Sequence, residues 1–166
     1  DLAFRKYLLQ MMGILLSGEN RENYTFMIFG QGANSKSIFS KLIEHLIGRQ
    51  FVASRKLETF TRKFGLEGLD KAKLVTCGES ESSKPIDFSV IKAITGNDLM
   101  EIEGKNKAIE SVELSLNLLF LTNKLYKIAD KSYGTIRRLN VIEFTHQVPK
   151  DKRDPDLLDK LKAEEA

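Results

Sequence analysis

Apolar residues recur at helical spacing at the start of the chain: Leu2, Tyr7, Leu8, Met11, Met12, Leu15 and Leu16. That period predicts an amphipathic helix, and Gly18 is placed to end it. Ser17 to Asn23 is polar and reads as a loop. Tyr24 to Phe29 is a short apolar run rich in β-formers, the pattern of a buried strand. A glycine-containing stretch follows, and Ile38 to Ile47 returns to the helical period, ending near Gly48. Phe51 to Asp70 has no clear period; Arg55, Lys56, Arg62 and Lys63 interleave there with Phe51, Phe60 and Phe64. Leu74 to Cys77 predicts a second short strand, which runs out into Gly78-Glu79-Ser80-Glu81. Asp87 to Ile94 has Phe88, Ile91 and Ile94 on one helical face, and Gly96-Asn97-Asp98 breaks it. Leu99 to Ser111 is polar and charged and suits a hairpin or a mobile loop. Leu114 to Leu121 is the most apolar strand and stops at Thr122-Asn123-Lys124. Ser132 to Arg138 predicts a short helix or turn, Leu139 to Phe144 another strand, and Asp154 to Glu164 an amphipathic helix. Asp154 would be the N-cap of that last helix and Pro155 its first residue.

Four or more strands, most joined through helices, predict an α/β fold with a largely parallel central sheet flanked by helices. Three of the strands are followed by polar or glycine positions at their C-terminal ends: Gly30, Glu79 and Asn123. Sheets of this class present such residues at the edge where they bind ligands. The 166 residues suit one domain with a sizeable core, 42% of them hydrophobic and 30% charged. The net charge of +3 is small, so any nucleic-acid contact must come from local clusters. Cys77 is the single cysteine, which excludes a disulfide framework and a Cys-based zinc site and suits a reducing compartment. No apolar run is long enough to span a bilayer and no signal-peptide pattern opens the chain. The chain begins with Asp1 and stops within a helical pattern, as a piece cut from a longer protein would.

The chemistry concentrates in Gly30-Gln31-Gly32-Ala33-Asn34-Ser35-Lys36-Ser37. A predicted strand precedes this stretch and a predicted helix follows it, the arrangement that holds the phosphates of a nucleotide. Glycines let the backbone turn its N–H groups inward, and the helix N-terminus adds partial positive charge. Lys36 would reach the β- and γ-phosphates and the Ser37 hydroxyl would ligate magnesium. Ser35 stands where the G-x-x-x-x-G-K-[ST] pattern has its second glycine, so a residue with a Cβ must take a tight conformation there, with distortion of the loop as the expected result.

Other residues join this loop by position. Glu79, past the second strand, can help hold magnesium or orient a water, with Glu81 in support; a solvated turn explains both acids equally well. Asn123 carries donors and an acceptor at a strand end, where it can touch a γ-phosphate oxygen and a water, or simply start a turn. Arg137 and Arg138 could stabilise the charge of a transferring phosphoryl group, also from a neighbouring subunit; the bland alternative is a solvated pair or an ion pair with Glu143 or Asp130. Lys92, Lys105 and Lys107 flank or occupy the polar segment after Gly96 and suit nucleic-acid phosphates, although Glu101, Glu103 and Glu110 dilute the charge.

Taken in order, the Gly-x-Gly-x-Asn-x-Lys-Ser loop, the strand ending in Glu79-Ser80-Glu81, Ile94 to Asp98, Leu121-Thr122-Asn123 and Ile136-Arg137-Arg138-Leu139 with Phe144 resemble the superfamily 3 helicases. The resemblance is closest to the poxvirus- and phage-type primase-helicases and covers nearly the whole chain. It implies an AAA+-like P-loop ATPase core over residues 1–166: a leading helix and loop (1–22), the core (23–148) and a C-terminal helix (149–166). It further implies a hexameric ring, ATP and Mg²⁺ at subunit boundaries, translocation on single-stranded DNA, a primase region attached elsewhere, and the cytoplasm of a bacterial host or virus-infected cell. Carried over by residue, Lys36 and Ser37 match the Walker A lysine and hydroxyl, with Asn34 the asparagine often found there. Glu79 matches the Walker B acid, Asn123 the sensor asparagine, and Arg137 or Arg138 the arginine finger. Residues 98–107 match the DNA-contacting loop, with Lys105 and Lys107 the contacts. Ser35, Gly78 in place of a second acid, and a loop without a strong basic-aromatic signature depart from the family pattern. A packaging or partition motor, a degenerate nucleotide-binding assembly domain and a small-molecule kinase are the competing readings.

Overall fold

A computed structural model describes residues 1–78, 87–105 and 108–164. Helix α1 (Leu2–Ser17) starts with the Asp1 carboxylate accepting from the Ala3 N–H at 2.9 Å and ends at Gly18, in the left-handed region at φ 68°. The chain continues through β1 (Thr25–Phe29), α2 (Lys36–Ile47), β2 (Val52–Arg55), β3 (Leu74–Cys77), α3 (Ser89–Gly96), β4 (Leu99–Ile102), β5 (Glu110–Glu113), β6 (Asn117–Thr122), α4 (Tyr133–Ile136), β7 (Leu139–Glu143) and α5 (Leu157–Ala163). Five strands form one sheet in the order β2-β3-β6-β1-β7, and every ladder in it is parallel. This is the α/β architecture that the alternation of strands and helices predicts.

Alternation along each strand sends side chains to two separate cores. Phe26 and Ile28 of β1 and Leu119 of β6 pack with Met11 and Leu15 of α1 and Ile43 of α2. Met27, Leu118 and Phe120 face the other way, onto Phe88, Ile91 and Ile94 from the α3 segment and onto Leu57, Phe60 and Leu69. Both faces of the sheet are therefore covered, which is why its central strands read as continuous apolar runs. Polar staples fix the turn that feeds β1. Asn20, buried, donates through Nδ2 to the Tyr24 carbonyl at 2.8 Å and accepts the Tyr24 N–H at 2.7 Å. Asn117 Nδ2 donates to the Ile14 carbonyl at 3.0 Å, tying β6 to α1.

Several boundaries differ from the sequence expectation. The apolar run from Leu114 enters its strand only at Asn117; Leu114 and Leu116 are buried in the approach to it. The strand β2 lies in the stretch without clear period, because it is a four-residue edge strand ending in Ser54 and Arg55. The polar segment after Gly96 takes the first of its two expected forms, an antiparallel hairpin that pairs Leu99 with Glu113 and Ile102 with Glu110 and runs two residues past Ser111. The last helix begins at Leu157 with Asp156 as its cap residue, not at Asp154. Asp154 instead accepts from the Asp156 N–H at 2.9 Å and from Lys160 Nζ at 2.6 Å, so its carboxylate holds the turn ahead of the helix. Among the described residues no helix is long and apolar enough to cross a membrane. We expect Asn20→Ala to lower the unfolding free energy by about 1–3 kcal/mol, since it removes the partner of the half-buried Tyr24 backbone and of the buried Leu116 carbonyl, with urea denaturation as the measurement.

Candidate phosphate-binding site

Parallel pairing brings three strand C-termini to one edge. Phe29 is level with Thr122 of β6 and Glu143 of β7, and Cys77 is level with Phe120. Gly30, Asn123 and Phe144 therefore leave the sheet side by side, and Gly78 leaves β3 at the level of Leu121. Gly30 has φ 151°, and a Cβ there would collide with the Phe144 carbonyl and the Asn34 side chain. Loop 30–35 then doubles back into the N-terminus of α2.

The backbone of that loop alternates in hand. Ala33 and Ser35 have φ of 64° and 65°, while Asn34 between them does not have a positive φ. Such alternation turns successive N–H groups toward one concavity, an anion-binding nest, which here opens at a helix N-terminus. Ser35 accommodates the missing glycine by taking the left-handed conformation itself, a cost of roughly 1–2 kcal/mol for a residue with a Cβ. The loop closes nonetheless.

Lys36 is buried at the throat of this concavity. Its ammonium donates to the Gly30 carbonyl, to Asn34 Oδ1 at 3.1 Å and to Asn123 Oδ1 at 3.0 Å. Asn34 in turn donates through Nδ2 to the Phe144 carbonyl at 2.9 Å. The sequence-predicted Gly30, Asn34, Lys36 and Asn123 thus form one hydrogen-bonded group across three strand ends. Ser37 is exposed and lines the same cleft, where its hydroxyl can meet a cation held by phosphates. The cleft encloses about 580 Å3. A fixed cation, converging N–H groups and a helix N-terminus on one cavity can hold a polyanion. The donor set fits a nucleotide's phosphates with magnesium.

Val148, Arg153, Asp154 and Leu157 also line the cleft, and sequence reasoning assigned none of them to it. Nothing in their local pattern marks them; they reach the site only because the Val148 N–H donates to the Ala33 carbonyl at 2.8 Å and folds the chain back over the loop. Glu79, Glu81 and Lys107 lie outside the described residues. Cys77, one residue before Gly78, is fully buried, and burial pushes its thiol up, so it is an inert core residue.

Arg137 and Arg138 stand at the opposite edge of the sheet. The Thr25 N–H donates to the Arg138 carbonyl at 2.7 Å, and Thr25 is level with Leu139 at the start of the ladder. Five residues of β1 separate the pair from Gly30, about 16 Å of strand. Neither arginine can reach the phosphate loop of its own chain. Arg138 is engaged internally, donating to the Thr95 hydroxyl at 3.2 Å and the Gly134 carbonyl at 2.8 Å, whereas Arg137 is exposed. Asp130 anchors the same turn: it accepts from Lys92 Nζ at 2.7 Å, the Thr135 hydroxyl at 2.7 Å and the Ser132 N–H at 2.8 Å. These bonds, the one from Lys92 foremost, hold its carboxyl well below the usual carboxylate range. Lys92 is therefore committed to Asp130, not to the hairpin face, and Asp130 pairs with neither arginine. Lys105 is exposed on the connection between β4 and β5, and Lys63 pairs with Glu103 at 3.2 Å beside it.

A family described as one of unknown function (DUF5906) matches residues 28–138. A mimivirus protein (Acanthamoeba polyphaga mimivirus) described as "Putative helicase L207/L206" is 28% identical over 87% of this chain, which spans 16% of that protein's length. Among solved structures, the apo A form of the NrS-1 C-terminal region superposes with a TM-score of 0.76 at 15% identity, over 94% of this chain and 38% of that one. The JCV helicase, solved with a bound phenoxyphenyl acetamide compound, superposes with a TM-score of 0.54 at 12% identity, over 87% of this chain and 42% of that one. The mimivirus relative's description agrees with the helicase resemblance drawn from the motifs, and the solved structures share the sheet architecture that the resemblance implies.

The loop geometry predicts opposite outcomes for two substitutions. Ser35→Gly should leave stability unchanged or raise it by up to about 1 kcal/mol, because it removes a left-handed Cβ. Gly30→Ala should lose more than about 1 kcal/mol. Thermal unfolding of the two variants beside the parent decides.

Proposed function

The chain belongs to the DUF5906 family, and from that premise we propose that it is the ATPase core of a replicative DNA helicase of viral, phage or mobile-element type. The observation that carries this reading is the Lys36 ammonium, buried at the throat of an N–H-lined concavity and bonded to both Asn34 and Asn123. ATP would place its β- and γ-phosphates in the nest of residues 30–37, with Lys36 turning from its protein oxygens to the phosphate oxygens. Magnesium, held by Ser37 and Glu79, would neutralise charge between those phosphates. Glu79 would orient a water in line with the γ-phosphorus. The bond from that water's oxygen forms as the bond to the β–γ bridging oxygen breaks, and Asn123 senses which phosphate is present.

The stabilising arginine comes from a second copy in this account. Arg137 is at the far edge of the sheet from its own cradle and is exposed, beside the exposed Tyr133 and Ile136 of α4. That position suits a subunit boundary, so a ring, hexameric as the motif resemblance implies, would present Arg137 to the next subunit's γ-phosphate. Arg138, engaged with Thr95 and Gly134, would hold the turn in place. The hairpin of β4 and β5 emerges at the same edge, with Lys105 and Lys107 as contacts to the phosphates of single-stranded DNA. A primase region elsewhere in the full-length protein completes the proposal.

ATP turnover with Mg²⁺, measured with and without single-stranded DNA over a range of protein concentrations, tests it. We expect turnover per chain to rise with concentration and with DNA. Arg137→Ala should lower it by roughly 10³-fold while nucleotide binding persists. Lys36→Ala should abolish it. Mixing the Lys36→Ala and Arg137→Ala chains should restore part of the activity, because mixed boundaries pair an intact cradle with an intact arginine. A rate per chain that is flat in concentration, or a Lys36→Ala chain as active as the parent, would sink the proposal.

A further inference from the structure

The cleft has apolar lining that a triphosphate does not use: Ile38, Leu121, Val148 and Leu157. One side of it is the loop and the first turn of α2; another is built by segment 144–157, which runs from the end of β7 to the start of α5. Three hydrogen bonds fix this segment to the phosphate loop and the strand before it. The Phe144 N–H donates to the Phe29 carbonyl at 2.8 Å, Asn34 Nδ2 to the Phe144 carbonyl at 2.9 Å, and the Val148 N–H to the Ala33 carbonyl at 2.8 Å. Arg153 Nε closes the turn onto the Val148 carbonyl at 3.0 Å. The wall that this segment builds is therefore fixed beside the nest. Half-buried Val148 and Leu157 line it, with the exposed Arg153 and Asp154 between them in sequence, facing the cleft that Ile38 and Leu121 also line.

Aliphatic side chains have nothing to offer a polyanion, and phosphate oxygens would be poorly solvated against them. A planar base with its ribose is the complement of such a wall: it loses apolar area to water there while its phosphates remain on the polar side. We propose that segment 144–157 is the nucleoside-binding wall of this site, with Val148 and Leu157 enclosing the base and ribose of a nucleoside triphosphate. The inference rests on the reading of residues 30–37 as a phosphate cradle and adds to it the part of the ligand that the cradle does not touch. It also gives the bonds from Asn34 and Ala33 a purpose, since they hold the two halves of the site in register.

Calorimetric titration of the chain with Mg-ATP and, separately, with Mg-tripolyphosphate separates the two halves. The parent chain should bind both, ATP more tightly. Leu157→Ala and Val148→Ala should each weaken ATP by about five- to tenfold and leave tripolyphosphate within about twofold. Lys36→Ala should weaken both ligands together. Two substitutions are used because Leu157 begins α5 and its truncation could loosen that helix, whereas Val148 is held by backbone bonds; circular dichroism melts accompany each. Equal weakening of the two ligands by the wall variants, or an unchanged ATP affinity in both, overturns the inference while Lys36→Ala still reports on the cradle. A parent chain that binds neither ligand overturns the cradle reading, and the wall with it.

Discussion

Parallel pairing of β1 between β6 and β7 is the constraint from which the rest follows. A strand in that position has ladders on both sides, so its only freedom is at its ends, and all its neighbours end on the same side. The chain must turn sharply after Phe29 to reach a helix packed on the sheet. That turn is where Gly30, the left-handed Ala33 and Ser35, and the buried Lys36 are found. The backbone strain of the loop is offset by the bonds Asn34 and Ala33 make to the segment after β7. Concavity, cation and helix terminus are thus products of one topological demand, and their chemistry is directed at anions.

The same constraint separates the chain's two candidate activities by the length of the sheet. The cradle occupies the C-terminal edge. The arginine turn and the hairpin occupy the N-terminal edge, where α3 links them: Thr95 holds Arg138, Lys92 holds Asp130, and Asn97, in the left-handed region at φ 56°, passes directly into β4. An element that holds the arginine turn at one side and leads into the hairpin at the other is positioned to couple them. Under the proposed function, a ring of copies would set one subunit's arginine edge against the next subunit's cradle edge.

Much of this was legible because buried parallel strands and amphipathic helices leave strong periodic signals. Tyr24 to Phe29, Leu74 to Cys77 and the leading helix ending at Gly18 stand in the structure close to where the periodicity placed them. The loop residues Gly30, Asn34 and Lys36 were legible because a tight turn between a strand and a helix restricts residue type. What escaped was set by tertiary contact alone. The strand β2 is short, at the edge and half polar, so its four residues carry no period. Val148 and Leu157 belong to the cleft only because a backbone bond to Ala33 folds their segment over it. Lys92 read with Lys105 and Lys107 as a lysine suited to nucleic-acid phosphates, yet Asp130, 38 residues away, holds it. Asp154 read as the helix cap, and its carboxylate does accept the Asp156 N–H and bind Lys160, but the residues it caps form a turn and the helix starts at Leu157.

The most direct test of the central claim is a crystal structure of the chain with magnesium and a non-hydrolysable ATP analogue. The account predicts β- and γ-phosphate oxygens within hydrogen-bond distance of Lys36 Nζ and of the N–H groups of residues 32–37, with the Lys36 bond to Asn123 released. An analogue bound elsewhere, or bound while Lys36 stays on Gly30, Asn34 and Asn123, would contradict it.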